Sequence, residues 1–147
     1  MATIKSFTSL EQSKKLAEIL PLESADMRYG YIAPYDYSDR MYDGGYDEIP
    51  YPKDFLIKNP NFSANEYDAE LPCWSLASLL GVLPNNENIS TNLSKGGYRI
   101  STLEYTNSWF VEYEDETNGL NNCVTSADNP VDACVEMIIK LHELNLL

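Results

Sequence analysis

Apolar positions change their spacing along this chain, and each spacing predicts an element. Leu10, Ala17 and Leu20 fall near one helical face, with Leu16 and Ile19 beside them. This is the 3.6-residue period of an amphipathic helix. Thr8-Ser9-Leu10-Glu11 has capping-box spacing at its start, where the Thr hydroxyl and the Glu carboxylate would each take an N–H left free by the first turn. Pro21 cannot continue the hydrogen-bond ladder and stops this helix. A second helix is expected over 71–80, with Pro72 in its first turn, Gly81 at its end and Pro84 beyond. Trp74, Ala77 and Gly81 would share one side, and Leu76, Leu79, Leu80 and Leu83 another. With almost no charge, this helix reads as largely buried.

Further along, the period shortens to two. Residues 98–105 and 108–114 read as strands joined by a turn at Thr106-Asn107. Asn118-Gly119 is a type I′ hairpin signal leading to a third strand over 120–126, because both positions tolerate positive φ. This meander would stack Ile100, Trp109, Val111, Tyr113 and Val124 on one face. Arg99, Glu112 and Glu114 would lie on the other. A last helix follows Asp128-Asn129-Pro130, a capping residue and an N1 proline. Its Asp132, Glu136, Lys140 and Glu143 form one narrow polar stripe, and Glu136 and Lys140 have the spacing of an ion pair. Nearly everything else in it is apolar, so it should pack against more than one neighbour and form the core.

Between these periodic stretches, about 22–70, alternation is weak. Eight of the eleven tyrosines lie there, together with Pro34, Pro50, Pro52, Pro60 and Gly44-Gly45. Such punctuation predicts loops with short edge strands. The pattern as a whole predicts a single α+β domain over 1–147. Its architecture would be an antiparallel β-meander of three or more strands packed with about three helices, carrying an irregular Tyr/Asp-rich insertion.

Composition narrows the function classes. The chain has 147 residues, ordinary for one domain. Its formal net charge is −13, from 23 acids and 10 bases. That balance opposes direct nucleic-acid binding, which needs bases to displace counterions. It also opposes an anionic membrane surface and favours a basic protein partner. No stretch of signal-peptide or membrane-span character stands out, so a cytoplasmic location is expected. Cys73, Cys123 and Cys134 are odd in number and widely spaced, a poor disulfide framework that fits the same compartment.

Candidate chemistry is sparse. The single histidine, His142, lies in the last turn of the last helix, where the macrodipole favours it without any catalytic role. The cysteines and His142 match no common zinc spacing, and no sequence neighbour supplies a base to activate Cys73. Asp39, Asp43, Gly44 and Asp47 only superficially follow a calcium loop, since Met41 and Pro50 stand where ligands are needed. No catalytic residue, metal or cofactor is therefore expected. Paired carboxylates for glycoside hydrolysis have no sequence spacing to test. The candidate partner-binding set is Tyr35, Tyr37, Asp39, Tyr42, Asp43, Tyr46 and Asp47. Their rings either pack onto a sheet edge or form an acidic, tyrosine-rich interface for a basic partner. A DNA-mimicking form of that interface would need acids spaced like phosphates along one face. A small-ligand binder or hydrolase with a Tyr-lined acidic cleft is the alternative.

Three stretches carry a resemblance. They are Glu11-Gln-Ser-Lys-Lys-Leu-Ala-Glu-Ile-Leu-Pro-Leu-Glu-Ser-Ala-Asp-Met27, Leu71-Pro-Cys-Trp-Ser-Leu-Ala-Ser-Leu-Leu-Gly-Val-Leu-Pro84, and Asn129-Pro-Val-Asp-Ala-Cys-Val-Glu-Met-Ile-Ile-Lys-Leu-His-Glu-Leu-Asn-Leu-Leu147. In these the chain resembles a family of small uncharacterised proteins from gut Bacteroidales, often met in phage-like or mobile regions. The resemblance implies a cytoplasmic bacterial or phage origin and an architecture of helices and strands. It implies no activity and no site residues, and the tyrosine-rich segment lies outside it.

Overall fold

A computed structural model of the chain describes residues 5–37, 40–53, 69–84, 95–102, 109–114 and 123–147, and for 37, 40, 95–102 and 114 the backbone alone. The fold is α+β: the described residues form three α-helices, one 3-10 turn and nine strands in three antiparallel sheets. They fall into two compact units, one of 9–74 and the other of 1–8 with 75–147.

The unit of 9–74 begins with α1 (Leu10–Ala17). Its capping box is one residue later than the sequence spacing suggests. The Ser9 hydroxyl accepts from the Gln12 N–H, and the Gln12 side chain accepts from the Ser9 N–H. Thr8 is buried instead. Both registers satisfy a capping box, and the buried face chooses between them. That face is centred on Ser13, Leu16 and Leu20, with Leu10 and Ala17 only half-buried.

After a 3-10 turn (Leu22–Ser24) comes β1 (Met27–Ile32), the central strand of the unit. On one edge it pairs with β6 (Ala69–Cys73) over Met27–Cys73 to Tyr31–Ala69. On the other it pairs with β4 (Gly45–Tyr46) and β5 (Tyr51–Pro52). The segment 71–73 is thus a strand and not the start of a helix. A short uncharged apolar run does not distinguish the two locally, and pairing with β1 decides it. Pro72 sits opposite Arg28 on a strand that, among the described residues, has β1 as its one partner. An edge strand is where a residue without an N–H is tolerated. Trp74 follows β6, fully buried, and its indole N–H donates to Ser24 Oγ at 2.9 Å.

The other unit holds α2 (Leu76–Val82), the meander and α3 (Pro130–Glu143). Ser75 caps α2 by accepting from the Ser78 N–H. Only Leu79 is buried within α2, while Ala77 and Gly81 face solvent, so the expected largely buried helix is corrected to a half-exposed one. Gly81 lies inside it, and Leu83 is the cap.

The meander has β7 (Lys95–Thr102), β8 (Trp109–Glu114) and β9 (Cys123–Ala127) in the order β7-β8-β9. The turns expected at 106–107 and 118–119 lie outside the described residues. Pairing of Ile100 with Val111 agrees with the expected stack. Val124 does not join it: Val124 pairs with Glu112, while Cys123 pairs with Tyr113 and Thr125 with Val111. Cys123 is accordingly buried and Val124 exposed, because side chains alternate faces along a strand.

Asn129 caps α3 by accepting from the Asp132 N–H, and Pro130 takes the first turn. Val131, Cys134, Val135, Met137, Ile138 and Leu141 are buried as α3 packs against β8, β9 and α2. The expected ion pair between Glu136 and Lys140 is replaced: Lys140 Nζ donates to the Val124 carbonyl oxygen at 3.4 Å. Instead, Lys5 pairs with Asp132 at 2.7 Å in the first turn of the helix. No helix among the described residues is long and apolar enough to cross a membrane.

Candidate functional site

Within the segment expected to hold loops with short edge strands, the described residues from 27 to 46 pair as a hairpin. Tyr31 pairs with Tyr46 and Ile32 with Gly45 across β1 and β4. Farther out, β2 (Tyr35–Tyr37) and β3 (Arg40–Tyr42) pair Tyr35 with Tyr42, Asp36 with Met41, and Tyr37 with Arg40. Both sets keep one register, so β2 and β3 continue β1 and β4 as an outer arm. The ladder breaks at Pro34, which has no N–H to donate. Close by, Gly44 has φ +83°, and a Cβ there would lie 2.7 Å from Pro34 Cδ. Only glycine combines that conformation with so close a backbone approach. Among the described residues β2 and β3 pair only with each other, which leaves an outer edge on each.

Alternation sorts the arm's side chains. Tyr35 and Tyr42 share one face, and their rings stack at 5.4 Å between centroids and 29° between planes. Asp36 and Met41 belong to the opposite face. Tyr35 is 49% exposed, Tyr42 38% and Met41 77%. Pro34, Tyr35, Asp36, Met41, Tyr42 and Asp43 line an open hollow of about 300 Å³ that draws on both faces.

The inner pair behaves differently. Tyr31 and Tyr46 are half-buried with ring centroids 5.0 Å apart, and the Lys14 ammonium lies 5.3 Å from the Tyr46 centroid. Asp47 is half-buried, and its N–H donates to the Gly30 carbonyl oxygen at 2.9 Å. The seven residues singled out from sequence therefore separate. Tyr35, Tyr42 and Asp43 come together at the hollow, whereas Tyr46 and Asp47 belong to the packed base of the hairpin. For Tyr37 the structure places the backbone only, in β2, and Asp39 lies outside the described residues. Asp36, Met41 and Pro34 were missed. The signal for them was the short alternation of Tyr35-Asp36-Tyr37 and Arg40-Met41-Tyr42 about residues 38 and 39.

Elsewhere the titratable groups are set up for packing. Burial pushes the Cys134 thiol up to about 12 and raises Cys123 as well, so neither is poised as a nucleophile. Cys123 Sγ lies 3.8 Å from Met137 Sδ. Burial, with the Cys73 thiol beside it, also raises the Tyr29 hydroxyl well above its ordinary value. His142 is exposed in the last turn of α3. Among the described residues no three His, Cys, Asp or Glu side chains gather as a metal site. Comparison with protein-family models, with curated proteins and with solved structures finds no match to the chain.

Proposed function

We propose that this is a non-catalytic protein-interaction or accessory protein whose arm, β2 with β3, is the binding surface for a basic protein partner. The observation that carries this reading is the exposed, stacked Tyr35–Tyr42 pair, with Met41 exposed on the opposite face of the same arm. Large rings and Met left in water are costly unless a partner covers them, and Tyr brings contact area with few rotors to freeze. Acids bordering the same hollow, on a chain of net charge −13, favour a partner of opposite sign. The hollow is too open to enclose a small substrate, which weighs against the cleft alternative. A cytoplasmic setting in a bacterial or phage-like element rests on the sequence resemblance.

A photo-cross-linking residue placed at Met41 tests the proposal, with the same residue at the exposed Ala77 as control. Cross-linking in host extract should give a defined adduct from position 41 and none from 77. The purified adduct partner should then associate more slowly as salt rises from about 50 to 300 mM, as the screening length shortens. Equal adducts from both positions, or none from 41, would refute the arm as the surface.

A further inference from the structure

We infer that the hollow beside the outer tyrosine pair is a seat for a guanidinium, the side chain of an arginine in a basic partner segment. This deepens the reading of the arm and rests on it. The first ground is internal. Two tyrosine pairs stand on one ladder, and the inner one already holds a cation, Lys14 over Tyr46 at 5.3 Å. A ring face attracts positive charge through its quadrupole. The outer pair is the more exposed, and among the described side chains no cation lies over it. The second ground is the rim. Asp43 borders the same hollow as the two rings, and Asp36 reaches it from the opposite face of the arm. From Pro34 to Tyr46 the sequence has three acids, Asp36, Asp39 and Asp43, and one base, Arg40. The third ground is shape. A guanidinium is flat, stacks on a tyrosine and offers a fork of donors to a carboxylate, whereas an ammonium does neither as well. A second copy of this chain is disfavoured as occupant by the mutual repulsion of two chains of charge −13.

The test uses three capped pentapeptides, Gly-Xaa-Gly-Xaa-Gly with Xaa as arginine, lysine or citrulline, titrated into the full ¹⁵N-labelled protein. Amide shifts should concentrate on 35–36 and 41–43. Arginine should bind about 3- to 5-fold tighter than lysine, in line with a stacked and forked contact, and neutral citrulline should not bind measurably. Tyr35→Ala with Tyr42→Ala should weaken arginine binding severalfold, while Tyr35→Phe with Tyr42→Phe, which keeps both rings, should retain it. Arg40→Gln should bind the arginine peptide at least as well, since a neighbouring base can only oppose a cation. Shifts scattered over the acidic surface, equal binding of arginine and lysine, or loss of binding in Arg40→Gln would each overturn the seat. A partner cross-linked through position 41 by a segment without arginine would overturn the seat and leave the arm as the surface. Failure of the position 41 cross-link would remove the arm itself.

Discussion

Ile138→Ala should destabilise the protein by about 2.5–3.5 kcal/mol. Ile138 is fully buried on the helix that packs against β8, β9 and α2. The substitution removes three carbons, and at ~0.8 kcal/mol each their return to water costs about 2.4 kcal/mol. If about half of the vacated space, roughly 40 Å³, stays empty, the cavity adds about 1 kcal/mol at ~24 cal/mol per Å³. The assay is urea unfolding followed by circular dichroism and by tryptophan fluorescence, with the slope of stability against urea held as a check that the end states are unchanged. Glu136→Ala is the control, because Glu136 is exposed two positions away on the same helix and should shift stability by less than about 0.5 kcal/mol. A loss under about 1 kcal/mol for Ile138→Ala, or an equal loss in the control, would mean that α3 does not anchor the core.

The register of β9 predicts opposite outcomes for neighbours: Cys123→Ser puts a hydroxyl in a buried site and should cost about 1–3 kcal/mol, while Val124→Thr should stay within about 0.5 kcal/mol. Reversed urea midpoints would show a one-residue slip. Gly44→Ala forces a Cβ against Pro34 at φ +83°, so the left-handed backbone alone should cost about 1–2 kcal/mol, and the amide signals of Tyr35 and Tyr42 should move while those of α3 stay put. Unmoved arm signals would refute the strained junction. Stability should fall at alkaline pH through Cys134: its thiol stays neutral in the fold up to about 12, whereas the unfolded chain ionises it near the ordinary thiol value of 9.0. The folded state then holds the extra proton, so stability present below pH 9 is lost as pH rises toward 12. Cys134→Val should flatten that slope, and an unchanged slope would assign it to other groups.

The candidate site was legible only in part. Tyrosines and acids interleaved along the chain suggested one mixed surface, but a period of two places neighbours on opposite faces once the segment pairs as a strand. Tyr35 and Tyr42 come together because β2 and β3 pair in one register, and that pairing partner cannot be seen in local alternation of three residues. Nor does composition say that Tyr46 is engaged by Tyr31 and Lys14, since Lys14 comes from a helix far along the chain.

What the sequence determined alone are the elements whose signal is local and long. α3 carries fourteen residues of unbroken periodicity behind an Asn-Pro start, and its buried face follows from that period with little help from its surroundings. The α+β class follows from the same contrast between stretches of period 3.6 and period 2. Tertiary structure decided what local propensity leaves degenerate. Ser9 displaced Thr8 as the cap, because either register satisfies the first turn and burial selects one. Residues 71–73 became an edge strand because β1 offers a ladder to pair with. Cys123 rather than Val124 faces inward because a strand shifted by one residue exchanges its faces completely, and only the pairing with β8 sets that shift.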